Sequence, residues 1–161
     1  MADRKMITRI DDIDEIKPVY EEYMAHMSRY FDIEDRESWR NDAMQYLQLY
    51  SSDNDRIAYV LNGSGKMAGF ALMNQYLRFN NDGFAVAEFY IRKGYGGNGF
   101  GRLLAEYAFS RFSGNWEVAV ASKNEAARIF WQKAVDSYTG GQFTTVMDAS
   151  YDGIGYLFKP P

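Results

Sequence analysis

The sequence contains no cysteine and a single histidine, His26. Without cysteine, the chain can form no disulfide, no thiolate metal site and no covalent intermediate on a thiol. One histidine argues against a histidine-based catalytic triad and against a cluster of histidine metal ligands. We therefore expect no metal cofactor.

Long hydrophobic runs and an excess of positive charge are also missing. No apolar stretch approaches the length of a membrane span, and the first residues, MADRKMITRI, contain no apolar signal core. The formal net charge is −4 and the isoelectric point is about 5.0, which argues against sequence-independent nucleic-acid binding. We expect a cytoplasmic enzyme or binding protein with no membrane partner and no nucleic-acid partner.

The length of 161 residues is typical of one domain, which we assign to residues 1–161. Hydrophobic periodicity predicts the order β-α-α-β-β-β-α-β-α-β-β, an α/β (α+β) fold with a mixed sheet. The predicted strands are Met6–Ile10, Arg56–Leu61, Lys66–Tyr76, Phe84–Ile91, Trp116–Ala121 and a final pair that is punctuated by Gly140-Gly141 and Asp152-Gly153 and ends at Phe158. Helical periodicity covers Ile13–Phe31, Trp39–Tyr50, Leu103–Phe112 and Asn124–Val135. The run Phe84–Ile91 is typical of a central strand that is buried on both faces.

The segment 89–102, FYIRKGYGGNGFGR, places five glycines between a predicted strand and a predicted helix. From the residues alone it is a flexible loop, a dinucleotide loop or an anion-binding nest. Gly94, Gly96 and Gly99 match the dinucleotide pattern G-x-G-x-x-G, but too little chain follows for the parallel sheet of that fold. A Walker loop is excluded because no Lys-Ser or Lys-Thr pair follows.

In the third interpretation, Gly97, Gly99 and Gly101 let backbone N–H groups at the start of a helix point into one concavity. Such a nest, with the helix dipole behind it, binds a pyrophosphate. Three cations flank the loop, namely Arg92, Lys93 and Arg102.

Two motifs resemble the GNAT superfamily of acyl-CoA-dependent N-acetyltransferases. One is the strand Phe89–Ile91 followed by 99–104, GFGRLL, at the start of a helix; the other is 124–133, NEAARIFWQK, at the start of the next helix. The order of elements agrees over nearly the whole chain, and the strongest segment runs from Glu88 to Val135. The segment 111–118, RFSGNWEV, together with Phe130-Trp131, further resembles a small group of predicted bacterial acetyltransferases.

The resemblance implies that acetyl-CoA is the cosubstrate and that the sheet splays between its fourth and fifth strands to admit the thioester. The CoA pyrophosphate would bind backbone N–H groups of the glycine loop, and the pantetheine arm would pair with the backbone of Phe89–Ile91. The residues that the resemblance assigns to CoA binding are Phe89, Ile91, Gly96, Gly97, Asn98, Gly99, Phe100, Gly101, Arg102, Asn124, Phe130 and Trp131. Asn124 also stands where a helix N-cap is expected, and the two roles are compatible.

Two positions depart from the family pattern. Gly96 replaces an Arg or Gln that usually lies near the phosphates, and Arg92 or Lys93 would have to substitute for it. Trp131 replaces a Tyr that is commonly placed to protonate the leaving thiolate. An indole N–H donates a hydrogen bond but does not deliver a proton at neutral pH, so the thiolate would leave unassisted or be served by water or another residue.

Glu88 is the candidate catalytic base, because it is the single carboxylate in an apolar strand and burial would raise its pKa. The alternative is a structural carboxylate that is paired with an Arg or Lys or faces solvent. Tyr90 shares the face of Glu88 and is the candidate for orienting the substrate or stabilising the oxyanion, with core packing as its alternative.

The family forms its acceptor side from the first two helices, the hairpin and the final strands. Here that region is aromatic, through Tyr23, Met27, Tyr30, Phe31 and Trp39, and acidic, through Glu21, Glu22, Asp32, Glu34, Asp35 and Glu37. An acidic mouth would attract a cationic amine, but the same residues could simply be a solvated helix face over an aromatic core. We expect His26 to be exposed on the first helix, with a place in the lining of the pocket as the alternative.

The leading hypothesis is an N-acetyltransferase that moves an acetyl group from acetyl-CoA to a primary amine of a small molecule or peptide in a ternary complex. The absence of cysteine excludes an acetyl-cysteine intermediate. The alternative is a non-catalytic domain that binds or senses CoA or acyl-CoA, and a more distant one is a dinucleotide-dependent oxidoreductase. The assembly is left open, with a homodimer as one option.

Overall fold

The computed structural model describes residues 6–148 and 151–161. The strands are β1 (Ile7–Ile10), β2 (Arg56–Gly63), β3 (Lys66–Asn74), β4 (Phe84–Ile91), β5 (Trp116–Ala121), β6 (Phe143–Asp148) and β7 (Tyr151–Phe158). The α-helices are α1 (Lys17–Met27), α2 (Arg36–Gln48), α3 (Phe100–Arg111) and α4 (Glu125–Thr139). This order confirms the order of elements expected from the sequence.

The strands form one mixed sheet in the order β1-β2-β3-β4-β5-β7-β6. Helices α1 and α2 cover one face, where Tyr20 and Leu47 pack on Phe70 of β3. Helices α3 and α4 cover the other face, where Leu104 and Phe109 belong to the larger core. The sheet therefore separates two apolar layers, and a site that opens through the sheet can be reached from both.

β4 and β5 are parallel neighbours that separate soon after they begin. Their register pairs Phe84 with Trp116 and continues only to Val86, opposite Val118. Beyond Val86 the two strands diverge, so the second half of β4 has no strand partner on that side. The predicted splay between the fourth and fifth strands is confirmed.

A β-bulge lies in β4 at the point where this opening begins. Leu72 pairs with Glu88 and Met73 pairs with Val86, which leaves Ala87 as an extra residue in β4. A bulge re-aims the side chains that follow it. As a result Val86 and Phe89 both pack towards α3 and α4, while Glu88 lies on the face covered by α1.

Two details of the predicted strands were wrong. β4 is not buried on both faces, because Val86 is its one buried residue and the rest of its length is partly exposed along the opening. Asp152-Gly153 does not form the final turn, because both residues lie inside β7. The connection between β6 and β7 falls at residues 149–150, outside the described residues.

The first two helices also differ from the periodic pattern. Pro18 lies in the first turn of α1, where its missing N–H leaves no hydrogen bond unmade. 3-10 turns at Ile13–Glu15 and Ser28–Tyr30 account for the rest of the predicted helix. α2 begins at Arg36, before the predicted start at Trp39, because the Asp35 side chain caps it by accepting a hydrogen bond from the N–H of Ser38 at 3.0 Å. Among the helices of the described residues, none has the length and apolar character that crossing a membrane requires.

Candidate active site

A cavity of about 930 Å³ occupies the opening beside the second half of β4. Its walls come from β4, the glycine loop, the first turns of α3 and α4, and one side of α1. The predicted residues that line it are Phe89, Tyr90, Ile91, Gly96, Gly97, Gly99, Phe100, Gly101, Arg102, Asn124, Phe130 and Trp131. The topology thus brings two motifs from separate parts of the chain to one cavity.

The glycine loop leads directly into the N-terminus of α3. Gly99 is the N-cap of α3 with φ 75°, a left-handed conformation that strains any residue with a Cβ, and no side chain caps the helix there. Gly101 lies so close to α4 that a Cβ would stand 3.0 Å from Cε2 of Phe130. The backbone conformation at position 99 favours glycine, and a Cβ at position 101 would require the Phe130 ring to shift by a few tenths of an ångström.

Gly96 differs from these two glycines. Its φ lies outside the left-handed region, and a Cβ built on it would meet no atom within 4 Å. The space beside Gly96 would admit a larger side chain, so neither packing nor backbone strain explains this departure from the family pattern.

Cations outnumber anions on the cavity wall. The charged lining residues are Glu22, Arg29, Lys93, Arg102 and Lys133. Glu22 is the one residue of the predicted acidic mouth that lines this cavity, and it is already used, because Arg92 Nε donates to its Oε2 at 3.0 Å. Arg92 is therefore directed away from the loop, and Lys93 is the closer substitute for the side chain missing at Gly96. Among the described residues, no group of three His, Cys, Asp or Glu side chains could hold a metal ion.

Glu88 lies one hydrogen bond from this cavity. It is not itself a lining residue, but its carboxylate accepts a hydrogen bond from the hydroxyl of Tyr23, which lines the α1 side. Burial raises the pKa of Glu88 from 4.5 to about 7, and the hydrogen bond from Tyr23 only partly opposes this rise. A carboxylate with this pKa can accept a proton and release it again near neutral pH.

The surroundings of Glu88 are phenolic. Tyr20 and Tyr23 approach it from α1, and Tyr46 and Tyr50 approach it from the side of α2. Burial, and after it the nearby carboxylate, raises the pKa of Tyr20 and Tyr23 above its ordinary value. Within the described residues no Arg, Lys or His comes within 4.0 Å of the Glu88 carboxylate as an ion pair. A structural salt bridge is thus not what holds Glu88 in the sheet.

Tyr90 lies on the same wall as Tyr23. Its hydroxyl donates to Oε1 of Glu22 at 3.1 Å, and its ring centroid lies 5.4 Å from that of Tyr23. His26 is half-buried rather than exposed, with its ring 5.9 Å from Tyr90. The expected exposed position was wrong and the alternative is found, since His26 lines the cavity on the side of α1 that faces β4.

Helix α4 supplies the opposite wall. Asn124 is the expected N-cap, accepting from the N–H of Ala127 at 3.1 Å. Trp131 is 5% exposed, and its ring centroid is 4.8 Å from that of Phe89. The Nδ2 atom of Asn124 also lies 4.0 Å from the sulfur of Met27 on α1, so the two walls touch at this end of the cavity.

Two predicted residues stand outside the lining and one wall was missed. Glu88 is hydrogen-bonded to Tyr23 but does not line the cavity, and Asn98 is exposed, where its Nδ2 donates to the carbonyl of Tyr95 at 3.4 Å. The α1 wall was not assigned to the CoA site; it contributes Glu22, Tyr23, Ala25, His26, Met27 and Arg29. Its sequence signal was present in the apolar periodicity of α1, but that pattern cannot separate side chains that fill the core from those that border a cavity.

A second cavity of about 620 Å³ lies at the start of β4 and β5. Its lining includes Tyr46, Arg56, Asn74, Ala87 and Glu117. Asn74 is buried and donates to the hydroxyls of Tyr46 and Tyr50, both at 3.2 Å. The lining of this second cavity thus includes Ala87, the residue that precedes Glu88 in the chain.

The sequence matches the model of the acetyltransferase (GNAT) family over residues 16–135. This span contains the glycine loop, the bulge of β4 and the first turns of α4. No curated protein gives a significant match.

Several solved structures share the fold at low sequence identity. An acetyltransferase from Thermus thermophilus superposes with a TM-score of 0.70 at 17% identity, covering 96% of this chain and 97% of that one. A structure described as histone acetyltransferase HPA2 and related acetyltransferase, from Corynebacterium glutamicum, gives 0.67 at 16% identity, with 97% and 96% covered. The PaiA N-acetyltransferase of Thermoplasma acidophilum, solved in complex with coenzyme A, gives 0.65 at 14% identity, with 95% and 98% covered. At these identities the likeness extends to the fold alone.

Proposed function

Because the chain belongs to the GNAT acetyltransferase family, we propose that it moves an acetyl group from acetyl-CoA to a primary amine of a small molecule or peptide. The observation that carries this proposal is the position of Glu88. Its carboxylate has a pKa of about 7, stands where β4 leaves β5, and is one hydrogen bond from the cavity that the glycine loop lines. A group able to take a proton and a pocket able to hold a cosubstrate therefore meet at one place in the sheet.

The residues of the first cavity fit CoA. The uncapped N-terminus of α3 presents backbone N–H groups of the loop 97–101, which suit a pyrophosphate. Lys93, Arg102 and Lys133 add positive charge for the phosphates. The edge of β4 after Val86 is free of β5, so the pantetheine amides can pair with the backbone of Phe89–Ile91. Phe130 and Trp131 would border the arm from α4.

The acceptor amine must lose a proton to attack the thioester, and Glu88 would receive it. The second cavity offers a route for the acceptor, because it reaches the bulge of β4 from the opposite end of the opening. With no cysteine in the chain, the attack would be direct, in a ternary complex. Juxtaposition of amine and thioester then supplies a large part of the rate.

Binding and transfer can be measured separately. Calorimetry should show micromolar binding of acetyl-CoA and CoA and no comparable binding of NAD or NADP. A thiol-release assay with a panel of primary amines should then show CoA release that depends on the amine and exceeds hydrolysis. If neither CoA species binds, the proposal is wrong.

Trp131 and Gly96 favour one rival, a domain that binds or senses acyl-CoA without catalysis. Trp131 puts an indole where the family usually has a phenol. Gly96 has no side chain, although the space around it would admit one. If acetyl-CoA binds at micromolar concentration yet no amine accelerates CoA release, this rival replaces the enzyme.

A further inference from the structure

We propose that Tyr23 of α1 is the catalytic acid of this site and that it works as a relay with Glu88: Tyr23 gives its hydroxyl proton to the departing CoA sulfur and recovers one from Glu88. This inference rests on the proposed acetyl transfer and names the residue that completes it. The relay assigns proton delivery to the first helix. The position in α4 that could have supplied the proton is occupied by Trp131, whose indole does not deliver one at neutral pH.

The first step of the argument is the position of Tyr23. Its hydroxyl donates to the Glu88 carboxylate, and the same side chain lines the first cavity together with Phe89 and Trp131. Tyr23 thus connects Glu88 to that cavity. A thiolate leaving the thioester would form in the same cavity. Glu88 itself is not among the residues that line that cavity.

The second step is that the ring of Tyr23 is held in place. It packs edge-on against Phe70 at 5.4 Å, and it contacts Tyr20 at 5.7 Å and Tyr90 at 5.4 Å. Tyr23 is 5% exposed. A hydroxyl on a fixed ring can serve the same sulfur in every turnover, which a surface side chain cannot do without losing conformational entropy.

The third step is chemical balance. The acceptor ammonium first gives one proton to the Glu88 carboxylate. The neutral nitrogen then attacks the carbonyl carbon, a C–N bond forms, and the nitrogen releases its second surplus proton to solvent. The C–S bond breaks with its electron pair on sulfur, and sulfur takes the hydroxyl proton of Tyr23. Glu88 returns its proton to the Tyr23 oxygen along their existing hydrogen bond, so one of the two protons lost by nitrogen ends on sulfur and the other in solvent.

The pKa values require the two transfers to be coupled, because a raised pKa makes Tyr23 a weak acid alone and its proton loss to sulfur must be accompanied by proton return from Glu88. Burial holds the pKa of Tyr23 well above 10, so the phenol is protonated when the reaction begins, while Glu88 at about 7 is ready to accept. The other titratable groups that interact with the pair are Tyr20 from α1, Tyr46 from α2, Tyr50 from the 3-10 turn that follows α2, and Tyr90 from β4, and burial raises the pKa of each. These four phenols remain protonated and neutral near pH 7, so they do not compete for the proton.

The test compares Tyr23→Phe, Glu88→Gln and the double variant with Tyr20→Phe as the matched control. Tyr20 lies on the same helix and packs on the same Phe70, but its interaction with Glu88 is Coulombic rather than a hydrogen bond. Tyr23→Phe should lower kcat by about 10²-fold or more, as expected for loss of a general acid. The double variant should be no slower than Glu88→Gln, because residues that act as a unit are not additive. Tyr20→Phe should change kcat by less than about threefold.

A change of leaving group separates a relay from a merely structural tyrosine. The selenium analogue of acetyl-CoA releases a selenolate, which is far less basic than a thiolate and needs no proton to depart. With this donor the loss caused by Tyr23→Phe should shrink at least tenfold, whereas the loss caused by Glu88→Gln should persist. Equal losses with both donors, or multiplicative losses in the double variant, would overturn the relay.

Two further controls keep the outcome interpretable. CoA affinity and thermal unfolding of Tyr23→Phe should stay close to those of the unsubstituted protein. If the variant does not fold, 3-fluorotyrosine at position 23 keeps the ring and makes the phenol more acidic; the relay then predicts a changed rate with acetyl-CoA and an unchanged rate with the selenium donor. If the unsubstituted protein transfers acetyl groups and Tyr23→Phe is equally fast, only the relay is wrong; if the unsubstituted protein transfers none, the proposed function fails and the relay with it.

Discussion

Glu88 and Glu117 are single carboxylates in adjacent apolar strands, β4 and β5, and their surroundings are opposite in kind. Glu117 is 2% exposed and accepts hydrogen bonds from the backbone N–H groups of Arg78, Phe79 and Asn80 at 2.7 to 3.3 Å. Glu88 accepts from one phenol and has a pKa raised to about 7 by burial. One carboxylate is surrounded by backbone donors, and burial disfavours the charged form of the other.

The contrast shows that the number and kind of donors separate a structural carboxylate from one able to move protons. The N–H groups around Glu117 hold the connection between β3 and β4 against β5, which fixes one end of the opening. Glu88 has no such set of donors, and the bulge at Ala87 places it at the other end of the same short β4–β5 ladder. Substitutions at the two positions should therefore have different consequences.

The largest expected effect is on turnover in Glu88→Gln. Loss of the general base should lower kcat/KM by about 10²- to 10⁴-fold. In the unsubstituted protein kcat/KM should rise with pH through about 7 as Glu88 loses its proton, and in the variant this rise should vanish. Steady-state kinetics across pH check both points, with Glu21→Gln on the exposed surface of α1 as the control. A pH profile that is unchanged in Glu88→Gln would remove it as the base.

Glu117→Gln should act on stability instead. Hydrogen bonds to a charged acceptor contribute about 1.5–3 kcal/mol each, and an amide group would turn a donor towards N–H groups. We expect the free energy of unfolding to fall by about 2–4 kcal/mol, measured by urea denaturation. The rise of kcat/KM near pH 7 should stay where it is. A shift of that rise in Glu117→Gln would contradict the separation of roles.

Glu88 should make the protein less stable as the pH rises. Its pKa is 4.5 in an unfolded chain and about 7 in the folded protein, so between these values the folded state binds a proton that the unfolded state has released. Its contribution to stability is full below 4.5 and is lost as the pH rises through 7. Near pH 8, Glu88→Gln should therefore be more stable than the unsubstituted protein, by up to about 3 kcal/mol. Urea unfolding of both proteins at about pH 5 and about pH 8 measures the difference, which should grow with pH; a constant difference would mean that Glu88 is not poorly solvated when charged.

A smaller effect tests the other side of the sheet. Gly99→Ala puts a Cβ on a backbone with φ 75° and should cost about 1–2 kcal/mol in stability while weakening CoA binding. Gly96→Ala should change neither quantity, because its φ is ordinary and its surroundings are open. Calorimetry with CoA and urea denaturation provide the comparison. Equal losses in the two variants would show that the loop is not held by the conformation of Gly99.

The fold and much of the lining of the first cavity were predictable because their signals are local. The strand before the glycine loop, the loop and the helix after it are contiguous, and Asn124 opens the next helix with its own cap. The order of elements and the splay of β4 from β5 were confirmed. The match to the GNAT family over residues 16–135 confirmed the resemblance on which the CoA assignments rest.

The proton-handling side was harder to predict because its contacts are distant in sequence. Tyr23 and Glu88 are 65 residues apart, and the bulge at Ala87 that brings them together has no signal in an apolar run. Glu88 and Glu117 look alike in sequence, since each is one carboxylate among apolar residues. Only the donors around them, which come from other elements, tell the two apart.

A crystal structure of the protein with CoA bound tests the account most directly. The account predicts the pyrophosphate on the backbone N–H groups of 97–101 and the sulfur within about 4 Å of the Tyr23 hydroxyl, a distance from which a proton can be transferred after small adjustments. A pyrophosphate bound away from the loop, or a sulfur on the far side of Trp131 from Tyr23, would contradict it.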